Sequence, residues 1–91
     1  MNDALLPLQR AARSFRLGME AQGNAAFVAF VDALLPELAR PARAALAAAL
    51  APLLPEVVAA QKRGDFLRVA DLLEHELRPC LAAADRPRSA R

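Results

Sequence analysis

Apolar residues recur at spacings of three and four along most of this chain, and the pattern is punctuated by glycine and proline. Leu5, Leu8, Ala12, Phe15 and Met19 form one stripe, which predicts a first helix from an Asp3 cap to about Gln22. Gly23-Asn24 then reads as a stop and a new cap. A second stripe, Phe27, Val31, Leu34 and Leu38, is flanked by Phe30 and Leu35, and Pro36 is expected to end or kink its helix. The stretch from Pro36 to Pro41 reads as the linker between two halves.

Leu46, Leu50, Leu53, Val57 and Ala60 stay in phase through Pro52 and Pro55, so one kinked helix from about Ala42 to Arg63 is expected. A break near Pro55 is the alternative. Gly64-Asp65 is the clearest punctuation: Gly supplies a left-handed residue and Asp caps the next helix. Phe66, Val69, Ala70, Leu73, Leu77 and Cys80 then point inward, and Pro79 ends or bends that helix. From Ala82 onward little remains to bury, so residues 82–91 read as a disordered basic tail.

Shifting the chain by 39 residues aligns Ala21-Gln22 with Ala60-Gln61 and Phe27 with Phe66. It also aligns Asp32 with Asp71, Leu34 with Leu73, and Glu37-Leu38 with Glu76-Leu77. An all-α four-helix bundle of two similar hairpins, about 3–38 and 42–81, is the predicted architecture, with 1–81 as one domain. Ala and Leu supply 39 of the 91 residues, so convergent helix patterning is the competing explanation of the repeat. No Ile, Trp or Tyr is present and only five Val, which argues against a sheet.

The formal charge of +2 is unevenly placed. Arg10, Arg13 and Arg16 make the start basic, and Arg86, Arg88 and Arg91 the end, while the middle is mildly acidic. That is not the continuous basic face of a nucleic-acid binder. The single cysteine, Cys80, cannot form an intramolecular disulfide, and no leader-like apolar segment opens the chain. The longest uncharged run, Ala44 to Pro55, is too short to span a bilayer. A cytoplasmic protein without a membrane span is expected.

Catalytic chemistry finds few candidates. His75 is the only histidine, and the helical wheel turns it toward solvent with Asp71 one turn before it. No second ligand is near, so neither a metal site nor an acid–base pair is assembled. Cys80 falls on the apolar side of the same wheel, away from that histidine, and reads as a buried thiol. The three glycines are scattered, which excludes a phosphate loop. The reading is non-enzymatic, with no cofactor and no metal.

What remains is surface. Leu6, Leu17 and Leu72 lie off the internal stripes, where they are either ordinary exposed leucines or a subunit and partner surface. Asp71 and Arg13 are the charged residues to go with them. For Asp32, Asp71, Glu37 and Glu76 the structural reading, ion pairs with Arg16, Arg43 or Arg63, is preferred over an acidic contact for a basic partner. The stretch Leu54 to Leu81 carries a helix ending in Gly-Asp, an aromatic at the next helix start, and then Leu-Leu-Glu-x-Glu-Leu. Phe15 to Leu35 carries Phe-Arg-x-Gly and Phe-Val-x-Phe-Val-Asp-x-Leu. Together these stretches resemble short helical proteins of bacterial flagellar and secretion gene clusters. The resemblance implies a non-catalytic adaptor or export-type chaperone that holds a partner's helix in a groove; the off-stripe leucines and small core add a homodimer as one arrangement. The alternative is a nucleic-acid-binding accessory protein using the arginine-rich ends, a less favoured partner class here because no aromatic interleaves them.

Overall fold

The computed structural model describes residues 2–85, and among these every regular element is helical. The order is α1 (Asn2–Arg16), α2 (Glu20–Leu38), a 3-10 turn (Pro41–Arg43), α3 (Ala44–Leu50), α4 (Leu53–Lys62) and a final helix, α5 (66–85). Helix α5 is α-helical over Phe66–Asp71, π-helical over Leu72–Leu77, and α-helical again over Arg78–Asp85. The tail expected from Ala82 is therefore helical to Asp85; the rest of that tail lies outside the described residues.

Two turns share one design. At the end of α1, Gly18 has φ +77° and donates to the Phe15 carbonyl at 3.1 Å, while Met19 donates to Ser14 at 2.8 Å. At the end of α4, Gly64 has φ +72° and donates to Gln61 at 3.0 Å, while Asp65 donates to Ala60 at 2.9 Å. Both turns thus satisfy helix-end carbonyls with the same pair of backward bonds, and only glycine adopts that φ without strain. The second was legible in the sequence. The first was not, because the expected stop at Gly23-Asn24 lies inside α2. A shift of 39 residues pairs Phe27, deep within α2, with Phe66, the first residue of α5; the two glycine turns are 64 − 18 = 46 residues apart.

Gly23 has another task. A Cβ built there would lie 2.6 Å from the Phe15 ring, so the glycine lets α2 approach that ring closely. The other face of packing on Phe15 comes from Phe66, whose ring stacks on it at 5.4 Å and 5°. Phe15 thereby joins α1, α2 and α5. Helix α1 packs chiefly on α2 and next on α5, α5 packs on α4 as well, and α3 packs on the last segment of α5. The molecule is elongated, 43 × 21 × 21 Å. Its core runs through Leu8, Phe30, Leu34, Leu50, Val57 and Leu73, all nearly or fully inaccessible. Met19, placed in the first stripe by its spacing, lies beyond α1 and is exposed.

The prolines behave less uniformly than their chemistry predicts. Pro36 and Pro79 are carried within helices that continue past them. Pro52 does break the third stripe: α3 and α4 are separate helices bent 48° apart, rather than one kinked helix. Pro55 is tolerated in the first turn of α4, where its missing amide would have no partner. No single helix among the described residues is long and apolar enough to cross a membrane; only residues 41–62 pass together, across that bend.

The π segment repositions side chains. The Arg78 amide reaches back to the Leu73 carbonyl, one residue further than in an α-helix. This wider turn accommodates Pro79, whose ring crowds the carbonyl four residues before it. It also advances each residue by less than an α-helix does, so Leu81 rotates to full burial and Cys80 to the half-exposed rim. The inward place expected for Cys80 is thus taken by Leu81. Leu72, expected off the core, is buried as well, because this segment packs on both α1 and α4 and needs a wider apolar arc than one stripe.

Candidate protein-binding surface

Helix α1 presents Leu6, Arg10 and Arg13 on the side opposite Leu8, Ala11 and Phe15, and Leu17, one residue past its end, continues that face, its amide donating to the Arg13 carbonyl at 3.0 Å. Leu6 and Leu17 are 51% and 63% exposed, and Arg10 and Arg13 lie between them. Of the residues the sequence singled out, these two leucines and Arg13 share one face. Leu72 is 1% exposed and leaves the surface altogether. Asp71 is half-buried and engaged: Arg16 donates from Nη2 to its Oδ1 at 3.1 Å and from Nε to Glu74 Oε1 at 2.9 Å. Donation to the carboxylates, to Glu74 first and then to Asp71, raises the Arg16 pKa above its ordinary value. Asp71 is therefore a strut between α1 and α5 rather than a free acidic contact.

Other polar contacts tie the elements together. Arg43 donates to the Ala84 carbonyl at 3.0 Å and to Glu37 at 3.3 Å, clasping the ends of α2 and α5. Glu37 also pairs with Arg40 at 3.3 Å. Arg68 reaches Glu56 at 3.3 Å, and Gln61 donates to Asn24 at 3.2 Å, joining α4 to α5 and to α2. Asp65 caps α5 by accepting from the Arg68 amide at 3.2 Å. Asp32, Glu76 and His75 are exposed.

Two shallow grooves have apolar walls. The larger, about 470 Å³, runs along the outer side of α4 and is lined by Leu54, Pro55, Val58, Ala59 and Lys62. The smaller, about 350 Å³, lies where α3 meets the end of α5, between alanines, Leu46 and Cys80. Its lining has no ionisable group other than that thiol. No cluster of three metal-binding side chains occurs among the described residues.

The structure also exposes apolar residues that the sequence reading assigned to no surface: Val28, Leu35, Val58 and Leu67. A signal for two of them was present. Helix α2 is apolar nearly all round, and a helix packed chiefly on one neighbour cannot bury every side. Comparison with family models, with curated proteins and with solved structures returns no match.

Proposed function

We propose that this protein is a non-catalytic, cytoplasmic adaptor or export-type chaperone that holds an amphipathic helix of a partner protein. The observation that carries this reading is the α4 groove, which is lined by four apolar side chains and one cation, Lys62. An amphipathic helix recognises such a surface by laying residues at i, i+3, i+4 and i+7 into it. Lys62 selects for an acidic residue on the rim of that helix, because opposed charges set register and discourage wrong partners. Val58 is 43% exposed, so its side chain is available to a partner at little cost to the fold.

The architecture we infer behind this is two related hairpins, α1–α2 and α4–α5, with the short α3 between them. The matched glycine turns support it, and they put the equivalent positions 46 residues apart. The function is tested by retention from a native lysate on the tagged protein, with mass spectrometry of eluates at low and high salt. One stoichiometric protein surviving high salt, and lost with Val58→Glu, is the expected result. Retention of nucleic acid that washes off with salt would replace this reading with binding through the arginine-rich ends.

A further inference from the structure

Four of the most exposed large apolar side chains sit on two helix faces that carry opposite charge. On α1 and the first residue past it, Leu6, Arg10, Arg13 and Leu17 lie at i, i+4, i+7 and i+11, within an arc of about 60°. On α2, Ala25, Val28, Asp32 and Leu35 lie within an arc of about 80°, turned away from the buried Phe27, Phe30 and Leu34. Val28 and Leu35 are 58% and 56% exposed. Asp32 takes part in none of the ion pairs among the described residues, and neither do Arg10 and Arg13.

Each face is an apolar strip with charge at its middle, cationic on α1 and anionic on α2. Set antiparallel, the two strips agree in register. Arg10 and Arg13 straddle Asp32, Leu17 falls over Ala25 and Val28, and Leu6 falls over Leu35. The alanines leave room for a leucine, and the carboxylate gains two cations where an apolar partner would leave it desolvated and unpaired. A second copy of this chain therefore supplies the complement of the α2 face in residues, spacing and sign.

We propose that the chain associates head-to-tail with copies of itself, the outer face of α1 docking on the outer face of α2 of the next copy. The contact pairs unlike faces, so each open chain of copies keeps one unused face of each kind at its ends and the assembly extends or closes on itself. One helix on one helix is a small interface, so association is weak and concentration-dependent. It uses neither the α4 groove nor the residues lining it, and stands independently of the function proposed above.

Sedimentation equilibrium across a concentration series tests it. Wild-type protein is expected to gain weight-average mass with concentration, and less so as salt is added. Asp32→Arg alone abolishes the gain, and so does the double variant Arg10→Asp/Arg13→Asp. Mixing these two variants restores it, because each then carries the complement of the other; a general loss of folding could not give that result. Val58→Glu, which tests the groove, leaves self-association unchanged. Wild type that stays monomeric throughout, or association indifferent to both charge reversals, overturns the proposal. So does a monomer whose Asp32 face captures a foreign helix instead.

Discussion

The two glycine turns have the same hydrogen bonds and the same backbone, yet only one announces itself in the sequence. After Gly64 comes Asp65, whose side chain accepts from the Arg68 amide at 3.2 Å and starts the next helix. After Gly18 comes Met19, which occupies the equivalent cap position with no side-chain bond. Polar capping residues mark a helix start because they satisfy amides that the helix leaves free. Where the cap is absent the turn is held by its backward bonds and by packing, and the local signal is halved. The nearby Gly23-Asn24 pair then mimics a turn while serving a different purpose.

Substitutions at and around the two turns separate what they share from what they do not. The largest effect is expected at the side chain that holds the first turn's hairpin against α5. Phe15→Ala removes the ring touched by both Gly23 and Phe66 and should cost about 3–5 kcal/mol in urea unfolding. Gly23→Ala acts on the same contact from the other side. It improves helix propensity, but its Cβ would stand 2.6 Å from a buried ring, so a net loss of about 1–3 kcal/mol is expected. A gain in stability from Gly23→Ala would mean that Phe15 moves aside freely.

Gly18→Ala and Gly64→Ala should behave alike. Neither Cβ meets an atom within 4 Å, so the cost of each is the positive φ alone, about 1 kcal/mol. Unequal losses would show that the two turns are not energetically equivalent. The caps should move in opposite directions: Asp65→Ala loses about 1 kcal/mol, and Met19→Asp gains about 0.5 kcal/mol by supplying the cap that the first turn lacks. Thermal unfolding of the pair reads both signs.

The smallest effect belongs to Arg16, whose bonds to Glu74 and Asp71 lie at the surface. Arg16→Met should lower the melting temperature slightly at low salt and not at all in molar salt. Its raised pKa has a defined pH signature: the stabilisation is complete below the ordinary guanidinium pKa and fades only as pH rises through the higher folded value. A melting temperature that falls between pH 6 and 9 would have to arise from another group.

Local patterning made legible the all-helical class, the Gly64-Asp65 turn and most of the inward positions. Leu8, Phe15, Phe27, Leu34, Leu46, Leu50, Val57, Leu73 and Leu77 are all buried as their spacing predicts. The helical period is a property of neighbouring residues, so a sequence displays it directly. Leu6 and Leu17 were legible as surface for the same reason, since they stand opposite the stripe of α1, Leu17 one residue past its end.

Tertiary structure alone decided the rest. A glycine can be needed for a positive φ, as Gly18 is, or for the absence of a Cβ, as Gly23 is; the residue is the same, and only the position of Phe15 tells them apart. Whether Leu72 is core depends on how many helices surround α5, and whether Cys80 or Leu81 points inward depends on a π turn ahead of Pro79. Arg16 was one of three candidate partners for Asp71, and only the fold, which brings α1 to it across 55 residues of chain, selects it. Each of these outcomes is fixed by contacts between segments distant in the chain, and such contacts leave no period in the residues that make them.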